Sequence, residues 1–181
     1  MGIANAAKIR GFMSEYELRW LAKMASRSKV IIEVGCFHGR TTRCLADNSD
    51  ENAKIYAIDP WPGAIFDEYG KIALNSGTYV LEQFCENLNG YINCGKVIPV
   101  RTKFQDWETN IKADFIFIDG DHLHDAFEAD IKKALSLISE DGVIAGHDYG
   151  NSSWPAVKKL TNQYFPEVQN TEGLIWSNRR F

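Results

Sequence analysis

The residues best able to do chemistry fall in two short stretches. Asp119, Asp121 and His122 lie in IDGDH, residues 118–122, and His147 and Asp148 lie in GHDY, residues 146–149. Carboxylates gathered with imidazoles suit either of two tasks: holding a divalent cation, or moving a proton in acid/base catalysis. A third stretch, EVGCFHGRTT at 33–42, places Gly35 and Gly39 after an apolar run, as a turn passing close to a ligand would require. A tight strand-to-helix connection alone would require the same glycines. Asp59 separates the two readings. It closes the next apolar run, 24 residues beyond Gly35, where a carboxylate can accept hydrogen bonds from both hydroxyls of a ribose.

These residues need a scaffold that brings strand ends together, and the patterning supplies one. Val30–Val34, Lys54–Ile58, Val97–Arg101, Asp114–Ile118 and Gly142–Ala145 are short runs rich in β-branched residues, nearly continuous in their apolarity. Parallel strands covered on both faces read this way. Helical spacing appears between and after them. Phe127, Ile131, Ala134 and Ile138 mark one helix; Val157, Leu160, Thr161 and Tyr164 mark another, opened by Pro155. The alternation predicts a single α/β domain over residues 1–181. Its Rossmann-like, doubly wound sheet is mostly parallel, with helices on both faces and ligands beyond the carboxyl ends of the strands. Gly173–Ser177 is expected as an antiparallel terminal strand, paired through a hairpin with Glu167–Asn170.

Ser14-x-x-Glu17 is a capping box, predicting an amphipathic N-terminal helix over 14–27 that caps the domain. Tyr16, Trp20 and Met24 form a second apolar stripe on it, either a broadening of the buried face or a lid over a pocket. Pro60–Gly77 is the longest irregular piece, of the kind that often carries function.

Composition narrows the partners. A formal charge of -4 argues against a surface built for nucleic-acid phosphates, and no Asn-Pro-Pro-Tyr-like amine motif follows the fourth strand. The four cysteines form no CxxC pair, the apolar runs are too short to span a bilayer, and no leader-like pattern opens the chain. Reduced thiols, a cytoplasmic location and a small-molecule partner are the expectations, with at most a second copy of the chain as a homodimer.

The choice of cofactor turns on the glycine loop. A dinucleotide needs GxGxxG so that its pyrophosphate can approach the helix, and this loop carries Phe37 where the second glycine belongs. Glu33, two residues before the turn, repels diphosphate and suits a cationic amino-acid group. S-adenosylmethionine (SAM) fits better than NAD.

In their order and spacing, EVGCFHGRTT, YAIDPWPG, FIFIDGDHLHDAFEADI and EDGVIAGHDY resemble class I SAM-dependent methyltransferases. The resemblance spans nearly all of residues 30–180. It is closest to the small-molecule branch related to macrocin O-methyltransferases and cephalosporin hydroxylase-like proteins. It implies methyl transfer to a hydroxyl of a small molecule or sugar; a binding module or a non-methylating, hydroxylase-like metal enzyme is the rival. It also implies roles. Glu33, Gly35, Phe37, Gly39, Thr41 and Thr42 would border SAM, Asp59 would hold the ribose, and Trp61 would flank the adenosine or the substrate entrance. Lys103 and Phe104 would lie near the adenine, and Asp119 near the methionine end. Asp119, His122 and His147 would be catalytic. In catechol-type relatives the positions of Asp119, His147 and Asp148 hold magnesium. A histidine among them points instead to manganese, iron or zinc, or to a general base with no metal.

Overall fold

The computed structural model describes residues 2–61 and 77–179. Helices α1 (Ala4–Lys8) and α2 (Glu15–Ala25) precede β1 (Val30–Val34), α3 (Arg40–Asn48) and β2 (Lys54–Ile58). Then come α4 (Gly77–Asn93), β3 (Val97–Val100), a 3-10 turn (Phe104–Asp106), β4 (Ala113–Ile118), α5 (His124–Leu137) and β5 (Ile138–Gly146). Helix α6 (Pro155–Tyr164) and the two-residue strands β6 (Gln169–Asn170) and β7 (Trp176–Ser177) complete the order. The sheet runs β3-β2-β1-β4-β5-β7-β6, parallel through β5 and antiparallel at β7 and β6. This is the expected doubly wound sheet with its antiparallel C-terminal hairpin.

Strand side chains alternate between two cores, as the two-residue period requires. Ile31, Ile55, Phe115 and Phe117 face a cluster with Leu18, Leu21, Leu45 and Phe84 from α2, α3 and α4. Ile32, Ile58, Ile116 and Ile118 face the opposite cluster, with Phe127, Ile131, Val157 and Leu160 from α5 and α6. Each inner strand is therefore apolar on both sides. Glu33 shares the face of Ile31.

Two differences from the sequence reading are local. Strand β5 begins at Ile138, because α5 passes straight into it; Ile138 adopts φ -70 and ψ 140 at the helix end. The second apolar stripe of α2 is split: Met24 is buried, Trp20 packs edge-on against Phe115, and Tyr16 is 71% exposed. Trp20 and Met24 thus broaden the buried face. Most of the Pro60–Gly77 stretch lies outside the described residues. The four cysteines are free thiols, and no described helix is long and apolar enough to cross a membrane.

Candidate active site

Strand ends are stitched to one another where the chemistry gathers. Gly35 N donates to Ile58 O at 2.9 Å, Asp119 N to Val34 O at 2.8 Å, and His147 N to Ile118 O at 3.1 Å. Asp59 N donates to Val100 O at 3.2 Å. The exits of β1, β2, β4 and β5 therefore sit level along the carboxyl edge of the sheet. β1 and β4 are sheet neighbours although far apart in sequence, which marks the point where the winding reverses and such folds bind ligands. The three non-glycine residues with positive φ among those described, Phe37 (48°), Trp61 (24°) and Asp148 (62°), all lie just past these exits. Held in a sparsely populated conformation, each depends on its surroundings to stay there.

The glycine loop is tied from within. Asp59 Oδ2 accepts from Cys36 N at 2.9 Å and Phe37 N at 3.0 Å, while Oδ1 accepts from Trp61 N at 2.7 Å. Gly39 N turns to Cys36 O. The N–H groups of Gly35, Cys36, Phe37 and Gly39 thus all serve the protein, so the loop is no open cradle of amides for an anion. Burial pushes the Asp59 carboxyl up, opposed by these three backbone donors. A carboxylate has about four acceptor positions, so with three filled one remains.

Glu33 is fully buried, and among the described residues neither carboxylate oxygen has a partner at hydrogen-bond geometry; the same holds for the Thr42 hydroxyl beside it. Burial pushes the Glu33 carboxyl up to about 8, opposed by Thr42 and reinforced by Asp119 and Asp59. Its ordinary value is 4.5, so folding is favoured most below pH 4.5, and that contribution is lost as pH rises through about 8. Glu33→Gln carries no titrating group there. Urea unfolding at pH 5 and pH 8 is expected to show a flatter pH dependence for the variant than for wild type; equal slopes would contradict this assignment.

Other residues expected near the cofactor fall in different settings. Trp61 is fully buried, donates from Nε1 to Phe37 O at 3.0 Å and packs on Phe84, which ties it to the glycine loop. Phe104 is 2% exposed and packed in the α5–α6 core, because the 3-10 turn rolls it inward; Lys103 stays exposed. Thr41 is buried, and Gly39 packs beneath Leu88 and Phe84. Phe37 is half-buried and stacks on His38, with ring centroids 4.0 Å apart. His38 is itself buried, and burial and the Arg10 charge lower its pKa.

At the other half of the edge, Asp119, His122 and Asp148 each offer one atom, all within 4.8 Å of one another. His122 Nε2 lies 2.9 Å from Asp148 Oδ2 and 3.6 Å from Asp119 Oδ1, without the alignment of a hydrogen bond. Trp154 stacks on the His122 ring at 5.1 Å. Burial opposes protonation of His122, but Asp119 and Asp148 outweigh it and raise the pKa to about 9. Against its own burial, Asp148 is held well below the carboxylate range by His122 and His147, and it also accepts from Asn151 Nδ2.

His147, expected as base or metal ligand, has both ring nitrogens engaged. Nε2 lies 3.0 Å from Glu17 Oε1, and Nδ1 lies 3.3 Å from Asp148 Oδ2. Burial works against its protonation; Asp148, Glu17 and Asp119 raise its pKa to about 10. His122 is thus the histidine whose ring nitrogen groups with Asp119 and Asp148, while His147 Nδ1 also lies 3.3 Å from Asp148 Oδ2 and 3.7 Å from Asp119 Oδ1. His124 is exposed beside Asp125. Asp130 is 4% exposed, with its carboxylate close to Gly120 at the β4 exit. There burial and the Asp121 charge push its carboxyl up to about 7 against His122.

Glu17, Asn151 and Trp154 were not found from the sequence. The capping box fully accounts for Glu17 at that level, and no spacing in NSSWP signals a partner for IDGDH.

A mostly parallel sheet reversing at β1/β4, with an acid after β2 and acids and imidazoles after β4 and β5, is the arrangement expected of a SAM-dependent methyltransferase. The chain belongs to the methyltransferase domain family, whose model matches residues 32–149. Its fold is similar to that of the O-methyltransferase from Bacillus cereus in complex with SAH, at 18% identity and TM-score 0.67, covering 96% of this chain and 86% of that one. The SAH-bound methyltransferase PaMTH1 of Podospora anserina is 14% identical with TM-score 0.68, covering 92% and 78%. The N-methyltransferase NodS of Bradyrhizobium japonicum is 12% identical with TM-score 0.61, covering 88% and 90%. No curated protein matches the chain. At these identities the solved structures share the fold, and the acceptor atom differs among them.

Proposed function

We propose that this protein transfers the SAM methyl group to a hydroxyl of a small molecule or sugar, with His122 as the general base. The observation that carries this is His122 Nε2, held between Asp119 and Asp148 at the edge where β1 and β4 diverge. Cofactor and residues fit on the donor set. Asp59 keeps one acceptor position for a ribose hydroxyl, Asp119 favours a cationic methionine end, and the amides of Gly35, Cys36, Phe37 and Gly39, which a diphosphate would use, are taken. Bound SAM supplies an electrophilic methyl group on sulfonium. His122 Nε2 takes the proton of the acceptor hydroxyl, and Asp148 and Asp119 stabilise the resulting imidazolium; such general-base assistance is worth about 10²- to 10⁴-fold.

The acidic surface favours a small-molecule acceptor over nucleic acid, and the free thiols suit the cytoplasm. The test is transfer of labelled methyl to a panel of phenols, polyols and sugars and to their amine counterparts. Labelled ethers support the proposal; exclusive labelling of amines, or no product, would overturn it.

The grouping of Asp119, His122 and Asp148 within 4.8 Å favours a second reading, in which they hold a divalent cation. A nitrogen donor among oxygens selects manganese, iron or zinc over magnesium. Nε2 cannot serve as ligand and base together. Chelation that abolishes transfer, with restoration by manganese, would favour the metal; transfer unaffected by chelator would favour the base.

A further inference from the structure

Glu17 does two jobs with its two carboxylate oxygens. Oε2 accepts from Ser14 N at 2.8 Å and Ser14 Oγ at 2.7 Å, which completes the capping box of α2. Oε1 accepts from Leu174 N at 2.9 Å and lies 3.0 Å from His147 Nε2. Capping needs only the first of these and is ordinarily done at a helix surface, yet Glu17 is 5% exposed. Burying a carboxylate is expensive unless it is paired and hydrogen-bonded, so the placement requires the second set of partners. Chain segments 130 and 157 residues away converge on this one oxygen. Gly173 shapes the hairpin around it: with φ +57, its missing Cβ leaves the space that Oε1 occupies.

We propose that Glu17 is a positioning residue: by holding His147 Nε2, it turns Nδ1 toward Asp148 and Asp119 and fixes the two carboxylates that face His122. The geometry is continuous. His147 Nδ1 lies 3.3 Å from Asp148 Oδ2 and 3.7 Å from Asp119 Oδ1, and the same Asp148 oxygen lies 2.9 Å from His122 Nε2. A carboxylate that orients an imidazole from its far side is a recurring device of metal and catalytic sites, and its loss typically costs about 10- to 100-fold. On this account the N-terminal helix is part of the active site, although none of its residues need touch the acceptor. The functional consequence rests on the methyl-transfer reading above.

Glu17→Gln separates positioning from capping, because Ser-x-x-Gln is also a capping box. The variant is expected to fold with unchanged helix content and SAH affinity, while kcat falls about 10- to 100-fold and KM for SAM stays constant. A second readout needs no acceptor. The hydrogen-bonded imidazole N–H proton of His147, assigned by its loss in His147→Asn, should appear far downfield in the NMR spectrum and move upfield in Glu17→Gln. Full kcat in Glu17→Gln, or an unmoved His147 resonance, overturns the proposal. Should wild type methylate nothing, the methyl-transfer reading fails by itself. The resonance then decides the positioning claim alone: a shift supports it, and an unchanged line overturns it.

Discussion

Gly35→Ala is expected to destabilise the protein by about 2–5 kcal/mol and to abolish SAH binding. Two independent penalties combine at this position. Gly35 has φ +84, in the region where an L side chain is strained by about 1–2 kcal/mol. An added Cβ would also collide with the Asp119 carbonyl oxygen and crowd Gly120 Cα, both backbone atoms that cannot rotate away. Crowding in a packed interior costs about 1–3 kcal/mol. Relief would require β1 and β4 to separate where Asp119 N bonds Val34 O, which would also displace Asp119 from Asp148 and His122. Stability and site should therefore fail together in urea unfolding and SAH titration. An alanine variant within about 0.5 kcal/mol of wild type, the usual range for an unconstrained surface position, would sink this account of the turn.

The largest expected effect on activity comes from His122→Gln, a loss of about 10²- to 10⁴-fold in methyl transfer with SAH affinity retained. Glutamine fills a similar volume and can still meet Asp148, but it cannot carry away a proton. With its pKa raised to about 9, His122 is mostly protonated at neutral pH, so the active, neutral fraction grows as the solution becomes more alkaline. Wild-type transfer should accordingly rise with pH up to about 9, and the residual rate of the variant should lack that rise. Wild-type rates in His122→Gln would remove His122 from the chemistry. The stack with Trp154 accounts for the orientation of the ring without a strong hydrogen bond at Nε2.

The scaffold was legible because its signals are local. Apolar runs such as VIIEV and FIFI, the capping box at Ser14 and Pro155 at the start of α6 state their elements within a few residues. The convergence of Asp119, His122, His147 and Asp148 followed from strand order, since residues just past parallel strands share one edge. Orientation was not legible. His147 and His122 look equivalent as neighbours of aspartates, and only the packing of α2 shows that His147 is tied through Nε2 to Glu17 while its Nδ1 faces the carboxylates that His122 also meets. Nothing in the sequence signals that the Trp61 indole bonds to Phe37 O. Asp130 has the helical spacing of a solvent-facing acid, yet the β4 exit covers it. Such assignments depend on contacts between segments remote in sequence.

The central claim is that one edge of the sheet binds the cofactor and performs the transfer. A crystal structure of the SAH complex tests it most directly. A ribose hydroxyl is expected at hydrogen-bond distance, about 2.7–3.2 Å, from Asp59, with the sulfur facing the side where Asp119, His122 and Asp148 meet. SAH bound with Asp59 untouched, or with its sulfur turned away from that cluster, would contradict it.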